Sequence, residues 1–271
     1  MTSFLTFRLH GFMAAWGGVA VGEIRESDFV PSRSALLGLL GAALGIRRDQ
    51  QKDLDALSRS VAFAVRVDRA GEMIEDWHTV QSASDKALRA APRTPRTRKD
   101  EIEASNNVRT GDRMGENPML SHRSYRMDPA YSVAVHLEPG ATCALEALAR
   151  ALREPVFTLA LGRKSCPLSW PMGPMIVDAP DLVGALHAYD EAQITLFEAE
   201  PTFQRIADLA LGIRNGAPKS GNRLLVWEEG MPLPSGLKAD LKVRRWDEPG
   251  NRARWQFSQR SESRTNWPEA Q

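Results

Sequence analysis

Apolar and polar residues alternate from Phe4 to His10, with Leu5, Phe7 and Leu9 on one side and Thr6, Arg8 and His10 on the other, the period-two signature of a strand. The same alternation returns at 61–67, through Val61, Phe63 and Val65, and at 131–137, through Tyr131, Val133, Val135 and Leu137. Between the first two, Leu36, Leu40 and Leu44 recur every four residues and predict a helix opened by Pro31-Ser32, with the Ser32 hydroxyl free to cap backbone N–H groups. After Pro139-Gly140, Leu145, Leu148 and Leu152 predict a second helix, and the apolar run 156–161 a further strand. The order β-α-β, insertion, β-α-β is the split pattern of an α+β, ferredoxin-like (RRM-like) βαββαβ domain.

The insertion spans about 71–127. Its start, 73–80, reads as a hairpin strand, whereas 82–121 is polar, basic and broken by Pro92, Pro95 and Pro118. A structureless loop of that length is functional or disordered. Beyond Pro167 the pattern predicts a short helix at 181–189, strands at 193–198 and 223–227, and a disordered polar tail over 258–271.

The first helix carries Gly38, Gly41 and Gly45 beside its leucine stripe. Each interior glycine costs about 1 kcal/mol against alanine, so the spacing points to close approach by a backbone or a ligand. Arg33 and Ser34 lie in the first turn, where free N–H groups and the helix dipole favour an anion. The alternative is a packed core helix with an incidental arginine, the commoner outcome for such a segment taken alone.

The chain has 271 residues, 42% hydrophobic and 25% charged, with a net charge of +1, which is globular material with no overall polyanion signature. The distribution says more than the sum. Six cations and no acid lie in 86–99, and six acids without Lys or Arg in 165–204, so one face can meet a polyanion that another repels. Cys143 and Cys166 fit neither a disulfide framework nor a zinc site, and read as free thiols in a reducing cytoplasm. Arg8 and His10 interrupt the N-terminal apolar run, arguing against a signal peptide, and 35–46 is too short to span a bilayer. Cytoplasmic localisation without membrane contact is the expectation.

Single-stranded RNA is held by cations on phosphates, backbone donors, and side chains on which bases stack. The loop Gly11 to Gly18 offers Met13, Trp16 and Gly17 just after the first strand; such a tryptophan is more often a core anchor than a stacking surface, so the loop's backbone is the better candidate. Arg163-Lys164-Ser165 follows Gly162 at the end of the predicted strand 156–161. His78, Tyr125 and Lys164 are residue types of a metal-independent ribonuclease. His10, His122, His136 and His187 show no metal-ligand spacing.

Gly11-Phe12-Met13-Ala14-Ala15-Trp16-Gly17-Gly18, the glycine-rich helix, Asp76-Trp77-His78-Thr79-Val80 and Gly162-Arg163-Lys164-Ser165-Cys166-Pro167 resemble, in order and wording, the CasD family of type I-E CRISPR Cascade subunits, part of the repeat-associated RNA-binding (RAMP) proteins. Later fragments, Asp247-Glu248-Pro249 and Gln256-Phe257, are similar too. The resemblance implies a palm over 1–80 and 122–168, an inserted basic thumb over 81–121, and an extension over 169–257 packed on the palm. It implies a non-catalytic, cofactor-free subunit that grips the 5′ handle of the crRNA, caps the CasC backbone beside CasA, and meets target DNA only through the complex. Arg123-Ser124-Tyr125 matches the family's Arg-Glu-Tyr, whose arginine contacts the handle; Ser124 in place of Glu puts an ion pair there in doubt. Arg109 and Arg126 are looser candidates, and His78 becomes a hydrogen-bonding palm residue. Two alternatives stand beside this reading: a metal-independent endoribonuclease that processes repeat RNA, and a single-strand binder without sequence preference.

Overall fold

The computed structural model describes residues 1–18, 20, 22–112, 119–198, 213–214, 217–218, 223–251, 254 and 256–268. In chain order its elements are β1 (Thr2–His10), β2 (Met13–Ala14), β3 (Ile24–Arg25), α1 (Arg33–Leu44), α2 (Gln51–Ser60), β4 (Val61–Arg69), β5 (Glu72–Val80), α3 (Asp85–Ala90), α4 (Arg98–Asn106), β6 (Met119–Met127), β7 (Ala130–Leu137), α5 (Leu145–Arg153), β8 (Met175–Ala179), α6 (Leu182–Glu198), β9 (Ile213–Arg214), β10 (Ala217–Pro218), β11 (Leu224–Trp227), β12 (Leu241–Pro249) and β13 (Phe257–Asn266). The chain divides into a large unit, Met1–Val19 with Ser27–Ile74 and Tyr125–Gln271, and a small unit, Ala20–Glu26 with Glu75–Ser124.

The large unit is a mixed α/β body built on one seven-stranded sheet in the order β12-β13-β11-β4-β7-β1-β8, antiparallel at every pairing. β1 and β4 both flank β7, so the two β-α-β segments interleave. Leu5, Phe7, Leu9, Phe63, Val133 and Val135 pack on one face with Leu36, Leu40 and Leu148 of α1 and α5. The other face is also covered. There Phe4, Ala62, Ala64 and Ala134 meet Leu182, Ala185, Leu186 and Tyr189 of α6, and the small alanines let the helix come close. The polar side of β1 therefore does not face solvent: Arg8 is buried and its Nη2 donates to Asp190 Oδ1 at 2.7 Å.

Several local expectations are corrected. Residues 156–161 are not a strand, apart from the bridge Ala160↔Pro167, because Val156 N–H and Phe157 N–H donate to the Ala43 and Ala42 carbonyls at the end of α1. They satisfy carbonyls that a helix C-terminus leaves open, and the strand beside β1 is β8 instead. Residues 193–198 continue α6 rather than forming a strand. α2 is an additional helix, burying Leu54 and Leu57. The polar tail expected to be disordered from 258 is largely β13, inserted between β11 and β12. Its charges are paired internally: Glu262 accepts from Arg260 at 2.9 Å and from Arg264 at 2.6 Å.

In the small unit the stretch 82–121, expected to be structureless, holds α3 and α4. Local capping explains both. Ser84 Oγ accepts from Ala87 N–H, and Thr97 and Asp100 form a reciprocal capping box, which supplies helix-start bonds without an apolar stripe. Its basic run is partly neutralised, since Lys86 pairs with Asp112 at 2.8 Å, Arg93 with Asp100 at 2.9 Å and Arg98 with Glu101 at 2.7 Å. β5 pairs with β6 and not with the seven-stranded sheet. No helix among the described residues is long and apolar enough to cross a membrane.

Candidate nucleic-acid interface

The N-terminus of α1 is capped as predicted, with Ser32 Oγ accepting from Ala35 N–H at 3.2 Å. It is not an open anion site. The Arg33 N–H donates to Asp247 Oδ2 at 2.9 Å. The Arg33 guanidinium is buried, bonding Glu228 and the Ser58 carbonyl and lying 2.6 Å from Glu248. Ser34 Oγ sits 3.1 Å from Ser32 Oγ. Arg33 is thereby corrected from a phosphate contact to a structural residue, because Glu228 just after β11 and Asp247 and Glu248 of β12 already neutralise the cation and fill the helix start, while Ser34 is half-buried beside Ser32. Burial pushes the Glu228 carboxyl up to about 7, against the pull of Arg33 and Arg260.

The glycine-flanked loop and the Gly162 turn come together in the large unit. Ala15 N–H donates to the Leu161 carbonyl at 2.9 Å. Gly162 has φ +88°, and a Cβ there would lie 1.9 Å from the Ala15 carbonyl oxygen. A Cβ at Gly11 would lie 2.8 Å from the Pro167 carbonyl oxygen. Both glycines serve backbone-on-backbone packing. Gly11 and Trp16 are buried, and the Trp16 indole N–H donates to Tyr131 Oη at 2.9 Å, so Trp16 is a core anchor and not a stacking surface.

What the packed loops leave outward is polar and cationic around Gly162 and, at the exposed Phe12, apolar. Gly17, Lys164 and Ser165 are exposed, with Met13 and Arg163 half-buried. The Arg163 guanidinium lies 4.6 Å from the centre of the buried Tyr125 ring, a cation–π contact that fixes its direction. Arg126, opposite Ala14 across β2 and β6, has an enclosed Nε with no hydrogen-bond partner among the described residues. An enclosed donor left unpaired is unfavourable unless a partner arrives.

In the small unit, His78 Nδ1 is 2.8 Å from Asp76 Oδ2 and both side chains are about half exposed. Arg123 is half-buried and bonds through Nε to Ser121 Oγ at 3.3 Å. Arg109 is exposed ahead of the 3-10 turn Thr110–Asp112. The sequence reading passed over Trp77, although its Asp76-Trp77-His78 run was in view. The residue is 63% exposed and its ring packs, tilted at 45°, against that of His122 with centroids 3.7 Å apart.

This sheet and its paired glycine loops define a known class. The family described as CRISPR-associated protein (Cas_Cas5) matches residues 4–261, and the chain belongs to it. The chain is 37% identical over 210 residues to the CRISPR system Cascade subunit CasD of Escherichia coli (strain K12), covering 74% of this chain and 83% of that protein. A chain of a solved CRISPR RNA-guided surveillance complex superposes with TM-score 0.60 at 22% identity, covering 98% of this chain and 90% of its own. A crystal structure of a Cas protein gives TM-score 0.56 at 24% identity, covering 98% and 95%. These two share the fold.

Proposed function

We propose that the chain is a non-catalytic subunit of a Cascade-type CRISPR surveillance complex that binds the 5′ handle of the crRNA. On this reading β1-α1-β4 and β7-α5-β8 form a ferredoxin-like palm, the small unit is the thumb, and the chain caps the CasC backbone beside CasA in the cytoplasm. Target DNA is met through the complex, where base pairing reads sequence and protein holds the guide. The observation that carries the proposal is the docking of Gly162 on Ala15. It brings Met13 and Gly17 to the same place as Arg163, Lys164 and Ser165, the mixture of backbone, apolar and cationic groups that an unpaired strand needs. The likeness to CasD supports the same assignment.

The test is fluorescence anisotropy with labelled handle RNA and a scrambled handle of equal length. Tighter binding of the true handle supports the proposal, and equal affinity favours a binder without sequence preference. Incubation with repeat RNA tests the catalytic alternative. Specific cuts that vanish in His78→Ala or Lys164→Ala would replace the binding role by an endoribonuclease.

A further inference from the structure

Resting on that RNA-binding reading, we infer that Trp77 and His122 form a stacking platform for an unpaired nucleobase on the small unit. The two rings lie 3.7 Å apart at 45°, so the imidazole holds the indole in place before any ligand arrives. Ile24 is the register partner of His122 and so stands on the same face. Trp77 and Ile24 are 63% and 56% exposed. Two large exposed apolar side chains, on two strands that both pair with β6 and either side of the half-buried His122, form a patch that fits an occupant.

Size and charge select which occupant. Three side chains on strands spaced about 4.8 Å apart cover roughly 10 Å, the footprint of one or two bases. A stable protein interface takes about 20 to 30 residues a side, more than Trp77, His122, Ile24 and the exposed Leu120 two residues along β6 supply. The next residues on β3 and β6 are the register pair Arg25 and Arg123, which alternation puts on the opposite face. Among the described residues the Arg123 side chain bonds Ser121 Oγ alone, and by its Nε, leaving the terminal nitrogens of the guanidinium for a phosphate. A ribbon with an aromatic group on one face and guanidinium groups on the other suits a strand whose base stacks on the first face while its backbone turns round the edge to the second.

The test uses the full chain and labelled handle RNA, titrated at several salt concentrations. Trp77→Ala should weaken binding by roughly 5- to 100-fold, the range for loss of one base stack, with the salt dependence unchanged because no phosphate contact is lost. Trp77→Phe should recover most of the affinity, since it keeps an aromatic face. His122→Ala should fall between the two. An unchanged melting curve for Trp77→Ala shows that the exposed ring is not needed for folding. Wild-type affinity in Trp77→Ala, with the wild type binding RNA normally, overturns the platform and leaves the proposed function standing. Failure of the wild type to bind any RNA overturns both. Loss of co-purifying protein subunits with RNA affinity intact would also overturn it, by making the face a protein contact.

Discussion

The Arg33 N–H donates to Asp247 Oδ2 at 2.9 Å, so a carboxylate from β12 occupies the helix start where an RNA phosphate could otherwise sit. The same arginine carries Glu228 and Glu248 on its guanidinium. Arg33→Ala should therefore act on the fold, leaving buried carboxylates without their cation, at about 3–5 kcal/mol. A urea midpoint measures this. RNA affinity per folded molecule should stay at the wild-type value; a wild-type midpoint with weakened RNA binding would return Arg33 to the interface.

The second buried cluster gives a pH signature. Asp190 accepts from Arg66 at 2.7 and 2.9 Å and from Arg8 at 2.7 Å. Burial pushes its carboxyl up, but Arg66 and Arg8 outweigh burial and hold it below the usual 3.8. A folded-state value below the unfolded one stabilises above pH 3.8, and that contribution is lost as pH falls through the folded value. Asp190→Asn should cost about 3–5 kcal/mol at pH 7, and the gap from wild type should narrow in acid. A gap that is constant from pH 7 to pH 3 would show that Asp190 does not titrate with folding.

Gly162→Ala is the sharpest probe of the paired loops. The left-handed φ of +88° and the 1.9 Å approach to the Ala15 carbonyl leave no room for a methyl group. The strain should be about 1–3 kcal/mol, expressed as a lower melting temperature. RNA affinity should fall as well, because Arg163, Lys164 and Ser165 lose their seat on the β1–β2 loop. A variant that melts early but binds RNA normally would separate the turn from the interface.

Arg123 is tested on its own. Loss of a charge-assisted hydrogen bond to RNA is worth about 1–3 kcal/mol, so Arg123→Ala should weaken handle binding by that much without changing the melting curve. Unchanged affinity would remove it from the site.

The central strands and α1 were legible because period-two and period-four apolar patterns follow directly from which side chains meet the core. The C-terminal half was not. Phe257–Asn266 reads as a solvated polar tail because Arg260, Glu262 and Arg264 neutralise one another and the residues of β12 only once paired, a long-range fact that composition hides. Asp247-Glu248 stood out as a family-like fragment with no reason attached; its reason is Arg33. The Gly11–Gly18 loop was legible as a place of close approach to a ligand, but that its backbone meets the Gly162 turn depends on the crossover from α5. Trp77 was missed because its polar neighbours in Asp76-Trp77-His78 draw attention to the histidine.

Native mass measurement of the chain purified under gentle conditions from its host tests the central claim most directly. The expected species is a ribonucleoprotein in which this chain travels with one crRNA bearing an intact 5′ handle and with CasC and CasA subunits, and which releases the chain when the RNA is digested. A bare chain at 30.0 kDa, with neither RNA nor partner subunits, would contradict it.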